Sequence, residues 1–263
     1  MRNSRPPWKP KIRPLPRVPL TLRQGLTFVA HCFKATAKQH HRELAPIFRP
    51  LFPEDAVIFD VGAHAGQFAK LFARLVPGGT VYSFEPGRYA RLILMVALAL
   101  NRVANVLIFP VGLGRNPESV ALHVPVKSSG SYGFGLSHLG VDEKSGRAEI
   151  TETVRIVTLD DFCAFLQITR VDFIKADIEG WEMQMLKGAE ATLRRFRPVL
   201  YLEIDRVHIS RSGDTVEALT AFLADHRYLP FSITPQRKLS AALHQIEGDI
   251  VWIPEERVST LNL

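Results

Sequence analysis

The 263-residue sequence predicts an α/β domain: a doubly wound, mostly parallel sheet whose last strand runs antiparallel. Three observations carry that prediction. Short β-branched and aromatic runs alternate with helix-periodic segments from residue 56 onward. Those runs are apolar on both faces, as strands covered by helices on both sides must be. The final two runs have no helix between them, which lets the last one reverse direction.

The elements follow in order. Residues 21–44 read as a helix, with Leu22, Leu26, Val29, Phe33 and Ala37 at three- and four-residue steps. Pro46, Pro50 and Pro53 are expected to end it and form a linker. Strands are predicted at 56–61, 80–85 and 105–112, with helices at 66–76 and 89–101 between them. The second of these helices is apolar almost throughout. The stretch 113–157 breaks the rhythm. It offers two hairpin strands, 119–125 and 152–157, around a glycine-rich polar segment that could close over a ligand. Thr158 and Asp161 stand at capping-box spacing before the next helix. A strand at 171–177, one helix over 180–196 and a strand at 197–205 follow. Asp214 and Glu217 mark the start of a helix at 215–226, and strands at 228–234 and 249–254 close the domain. The expected organisation is a basic arm (1–20), a helix and linker (21–53), and one domain (54–263) carrying the 113–157 insertion.

Composition narrows the class. The net charge is +7, and residues 1–20 supply six Arg or Lys with no acid, so the remainder is close to neutral. Such an arm suits an anionic surface, either lipid headgroups or nucleic acid, or else is a solvated tail. Two cysteines without ligand spacing exclude a disulfide scaffold and a zinc quartet. The longest apolar run spans 92–100, far below the ~20 residues a bilayer requires. A cytoplasmic setting is expected.

In a doubly wound sheet, ligands bind beyond the carboxyl ends of the strands. There the sequence places Asp60, Gly62, Ala63, His64 and Gly66, then Glu85 and Pro86, then Gly112, then Asp177, Glu179 and Gly180, then Glu203 and Asp205. The glycines let backbone approach a ligand closely. Glu85 stands about 20 residues beyond the glycine turn, the distance that brings a carboxylate to a ribose hydroxyl pair. The turn reads G-A-H-A-G, not G-x-G-x-x-G, and Asp60 at its entrance would repel a pyrophosphate. A ligand with an adenosine ribose and a cationic amino-acid end fits both carboxylates, and S-adenosylmethionine is such a ligand. A nicotinamide oxidoreductase and a non-catalytic module binding nucleic acid or membrane are the alternatives. The broken dinucleotide turn argues against the first, and the acidic rim against the second.

Four stretches then carry a resemblance: VIFDVGAHAGQF (57–68), VYSFEP (81–86), TLDDF (158–162) and the long run from Val171 to Ile204, with its D-x-E-G-x-E core and LKGA. In these the sequence resembles the FkbM-type S-adenosylmethionine-dependent methyltransferases over about residues 54–205. The resemblance implies a Rossmann-like class I methyltransferase fold of seven strands with the last antiparallel. It implies methylation of a hydroxyl on a sugar, glycolipid, polyketide or similar small or lipid-linked acceptor, with no nucleic acid involved. Asp60, Gly62 and Gly66 would line the amino-acid end of the cofactor and Glu85 would hold the ribose. Ala63, His64 and Pro86 complete the cofactor-binding set. The family often has Asn where this chain has His64.

Asp177 is the candidate catalytic residue. As a base it could take a hydroxyl proton, and partial burial would then have to raise its pKa. Its other reading is a helix cap. Glu179 and Glu182 are expected on the first helical turn, complementing the helix dipole, and Trp181 is read as packing. Asp177, Glu203 and Asp205 share the rim with hard oxygen donors that would suit Mg²⁺; the spacing does not establish that they converge, and no metal is assigned. His40 and His41 are expected to face solvent.

Overall fold

The computed structural model describes residues 22–125, 138–139, 149–242 and 246–261. The basic arm and nearly all of the glycine-rich segment at 126–148 lie outside them. In chain order, α1 (Leu22–Ala37) and α2 (Ala45–Phe48) precede β1 (Val57–Val61), α3 (Gln67–Leu75), β2 (Thr80–Phe84), α4 (Arg88–Leu100) and β3 (Val106–Phe109). Next come β4 (Gly112–Leu113), β5 (Glu118–Pro125), β6 (His138–Leu139), β7 (Glu149–Val157), α5 (Leu159–Leu166), β8 (Phe173–Ala176), α6 (Glu182–Lys187), α7 (Glu190–Phe196) and β9 (Val199–Ile204). The chain ends with α8 (Arg206–Arg211), α9 (Val216–Asp225), β10 (Tyr228–Ile233), β11 (Leu239–Ala241), β12 (Gly248–Pro254) and α10 (Glu255–Val258).

The main sheet has the order β11-β10-β12-β9-β8-β1-β2-β3. β3, β2, β1, β8 and β9 run parallel, and β12 lies antiparallel between β9 and β10. The strand alternation divides the interior in two. Phe59, Ile174, Leu200 and Leu202 enter the core beneath α5, α6, α7 and α9. Their neighbours Ile58, Phe173, Val199 and Tyr201 enter the opposite core beneath α2 and α3. Period-two side chains and helices on both faces produce this division. All seven expected strands are present. An eighth, β11, pairs with the β10 edge in the stretch read as a polar turn. β5 and β7 form the expected hairpin, which joins β4 and β6 in a second sheet of four strands.

Four differences have physical reasons. α1 ends at Ala37, and the stripe that marks it as a helix faces outward: Leu26, Val29 and Phe33 are exposed, while Cys32 and Ala35 pack against Tyr89, Ile93 and Ala97 of α4. Its C-terminal carbonyls are held by the buried Lys70 ammonium, which donates to Ala35 and Lys38; a cation suits that end of a helix. The proline-rich stretch after α1 is no linker. Pro46 and Pro50 occupy first turns of short helices, where no amide donor is needed. They deliver Phe48, fully buried, onto Phe72, Phe173 and Tyr201. The single helix expected over 180–196 is broken at Gly188, because its backbone sits against the Gly114 carbonyl and its own carbonyl accepts from Asp160 N–H at 3.0 Å. α9 is capped by Thr215, which accepts from Ala218 N–H, and Asp214 instead binds Gln184 and Lys187. The Thr158–Asp161 cap is formed as expected, at 3.0 Å.

Phe48→Ala should cost about 3–5 kcal/mol in urea unfolding, the range for emptying a filled aromatic site. A change below about 1 kcal/mol would restore the reading of this stretch as a linker.

Candidate active site

The carboxyl ends of β1, β2 and β8 open into one cavity. Gly62, Ala63, His64, Glu85, Pro86 and Asp177 line it, as the sequence predicts. The turn after β1 is drawn onto β2 because the amides of Gly62 and Ala63 both donate to the Phe84 carbonyl at 3.0 Å. Gly62 has φ +72°, and a Cβ there would run into the Asp177 carbonyl oxygen. The first turn and the end of β8 therefore meet backbone to backbone, which only glycine permits.

Glu85 directly follows β2 and is 8% exposed. One of its oxygens accepts from His64 N–H and the other from Gly87 N–H, each at 2.8 Å. Glu85 thus staples the β1 turn to the β2 turn, a role the spacing rule does not reveal. Each oxygen keeps a lone pair for a ligand hydroxyl. Burial pushes its carboxyl up to about 7, against the two amide bonds and nearby Arg91.

Two of the predicted cofactor-contact residues stand outside the cavity lining. Asp60 does not line the cavity and is fully buried behind the turn. Its counter-charge is an internal cation: Lys175 Nζ lies 3.6 Å from Asp60 Oδ1 and 3.7 Å from Asp177 Oδ2. The attraction of Asp60 for a cationic ligand end is therefore largely spent inside the protein. Gly66 also stands outside the lining, where it begins α3 against Leu94. Lys175 was missed, although a lysine in a strand otherwise apolar was the visible sign. It is 1% exposed, donates to the Val61 and Gly62 carbonyls at 3.0 and 2.8 Å, and lies 5.2 Å from the centre of the Phe68 ring.

The D-x-E-G-x-E motif is a loop that ties itself. Glu179 is not helical. It has φ 55°, contacts His208 Nδ1 at 3.1 Å and also lines the cavity. Glu182, 1% exposed, turns back to accept from Ile178 N–H at 3.0 Å and Gly180 N–H at 3.4 Å, and burial pushes it up to about 7. Only Asp177 and Glu179 of the three carboxylates face the cavity. Trp181, expected to pack, lines it too.

Burial opposes the charge on Asp177, yet the Lys175 ammonium and a hydrogen bond from Glu203 hold its carboxyl below the ordinary range. Burial and the adjacent Asp177 carboxylate push the Glu203 carboxyl above the ordinary range. The raised pKa expected of a basic Asp177 is thus reversed. Asp205 turns away to cap α8, accepting from His208 N–H at 2.9 Å. Asp177, Glu203 and Asp205 do not converge, and among the described residues no group of three His, Cys, Asp or Glu is placed to hold a metal. His41, expected in solvent, lines the cavity and stacks on Phe68, ring centres 4.4 Å apart and planes at 14°.

Lys175→Met should destabilise the fold by about 3–5 kcal/mol, since it strands a buried carboxylate. Adding Asp60→Asn should recover much of that loss. An additive double variant in chemical denaturation would show that the pair is not coupled.

The family model of the Methyltransferase FkbM domain matches residues 60–230. Methyltransferase 1 of Beauveria bassiana is 29% identical over 150 residues, covering 53% of this chain and 60% of its own length. The 2-O-methyltransferase NoeI of Sinorhizobium fredii is 24% identical over 165 residues, covering 60% of this chain and 65% of its own length. The chain thus spans under two thirds of the length of these curated relatives. The crystal structure of methyltransferase FkbM from Methylobacillus flagellatus KT superposes with a TM-score of 0.50 at 16% identity, over 86% of this chain and 59% of that one, and shows the shared fold. With its sheet, its glycine turn and its D-x-E-G-x-E loop, the chain belongs to the FkbM methyltransferase family.

Proposed function

We propose that the chain is an S-adenosylmethionine-dependent O-methyltransferase whose acceptor is a hydroxyl on a sugar, glycolipid, polyketide or similar small or lipid-linked molecule. The observation that carries this reading is the meeting of three groups on one cavity: the Gly62 turn, Glu85 and Asp177. The cradle fits the cofactor. A backbone surface that a Cβ would fill lies at Gly62, a carboxylate with spare lone pairs stands at the end of β2, and Pro86, Leu113 and Leu122 form an apolar wall. Glu85 would accept from the ribose hydroxyls, the turn at 62–64 would hold the amino-acid end, and the wall would take the adenine. Bound there, S-adenosylmethionine supplies an electrophilic methyl.

Asp177 is the catalytic residue of this reading. Its depressed pKa makes it a weak base, which suits the task. A hydroxyl oxygen becomes strongly acidic as it acquires a methyl, so the anion needs only to orient the O–H and receive a proton already leaving. Lys175 and Glu203 keep Asp177 charged and aimed. A 2-O-methyltransferase among the relatives is consistent with an oxygen acceptor.

Calorimetry with S-adenosylhomocysteine should show binding that Glu85→Ala weakens by about tenfold or more, the worth of a charge-assisted bond pair. Binding uses the ionised Glu85, whose carboxyl sits near 7 in the free protein. Affinity should therefore rise with pH through 7 and level off above it, by about tenfold between pH 6 and 8. Glu85→Gln should abolish that rise. Binding of NADH in place of S-adenosylhomocysteine would overturn the assignment. Asp177→Asn should cut transfer of labelled methyl into cell extract by about a hundredfold while leaving S-adenosylhomocysteine affinity within about threefold. Equal losses in both would make Asp177 a binding residue only.

A further inference from the structure

We propose that the outward face of α1 docks this chain on an anionic lipid surface, an inference independent of the reaction. A helix on a globular domain normally turns its apolar stripe inward. α1 also turns one outward. Its inward side packs Phe28, Cys32 and Ala35 against α4, yet Leu26, Val29 and Phe33 on the other side stand 68%, 65% and 73% exposed. Their spacing of three and four puts them on one stripe. α4, against which α1 packs, adds Met95 and Leu100 at 38% and 66% exposed.

Charge selects the occupant. Residues 1–42 contain ten Arg and Lys and no Asp or Glu, and Glu43 is the first acid of the chain. Exposed Lys34 and Lys38 stand at and just beyond the end of α1. A second copy of this chain would bring like charge against like. A nucleic acid would satisfy the cations but leave three large apolar side chains in water. An anionic bilayer meets both requirements, with headgroups around the Lys and Arg and the stripe sunk at the acyl boundary. The chain runs from α1 into His41, which lines the cavity. A docked α1 would hold that cavity beside the membrane, within reach of a lipid-linked acceptor.

The full chain should co-sediment with vesicles of phosphatidylcholine containing phosphatidylglycerol, but not with phosphatidylcholine alone. The L26Q/V29Q/F33Q variant, altered only on the outward face, should keep the wild-type melting temperature and lose about tenfold or more in vesicle affinity. Equal pelleting of variant and wild type, or pelleting indifferent to phosphatidylglycerol, would overturn the proposal. So would a wild-type dimer that the variant dissolves. Should the triple variant fail to fold, Phe33→Trp decides: its emission should shift to the blue on adding phosphatidylglycerol vesicles, and unchanged emission would refute docking.

Discussion

The buried ammonium of Lys175 is the interaction around which the cavity is arranged. An isolated charge at that depth would cost several kcal/mol. Here two carboxylates and two carbonyls surround it: Asp60, Asp177, and the backbone of Val61 and Gly62. Three consequences follow. The end of β1 is locked to the end of β8. Asp60 is used up as a structural counter-ion. Asp177, sharing the same cation, is half-exposed at the cavity wall and its carboxyl is held below the ordinary range. The contacts continue outward, since Phe68 lies against Lys175 and His41 stacks on Phe68. The segment before the sheet is thereby joined to the innermost charge of the site.

The acidic residues around the cavity divide their work by where their oxygens point. Glu182 spends itself on the amides of its own loop, as Asp205 does at the start of α8. Glu85 does two things at once, tying two turns together while facing the cavity. Asp177 is left to face the cavity with its charge maintained from behind. A carboxylate bound to backbone amides is held in a single pose, so the groups that would meet a ligand are positioned before one arrives.

Much of this was legible along the chain. Alternating apolar runs and helix-periodic segments located every strand of the parallel sheet, because those patterns arise from backbone geometry within a few residues. The glycine turn, Glu85 and Asp177 were found because the topology sends strand ends to one edge. The helix at 22–37 was recognised from Leu26, Val29 and Phe33, yet periodicity does not say which way a stripe faces, and it faces out. The prolines at 46 and 50 read as a linker because their local effect is to interrupt. Only contact with Phe72, Phe173 and Tyr201 reveals Phe48 as core.

The sequence by itself thus determined the doubly wound sheet, the rim on which a ligand would lie, and the family. The tertiary structure alone decided which acid faces the cavity, which way its neighbours shift each acid, and that His41 and Lys175 belong to the site. The reason is distance along the chain. Lys175 donates to a carbonyl 114 residues away, and no local pattern carries the identity of such a partner. A strand's period is written in neighbouring residues. The environment of a buried charge is written by whatever the fold brings beside it.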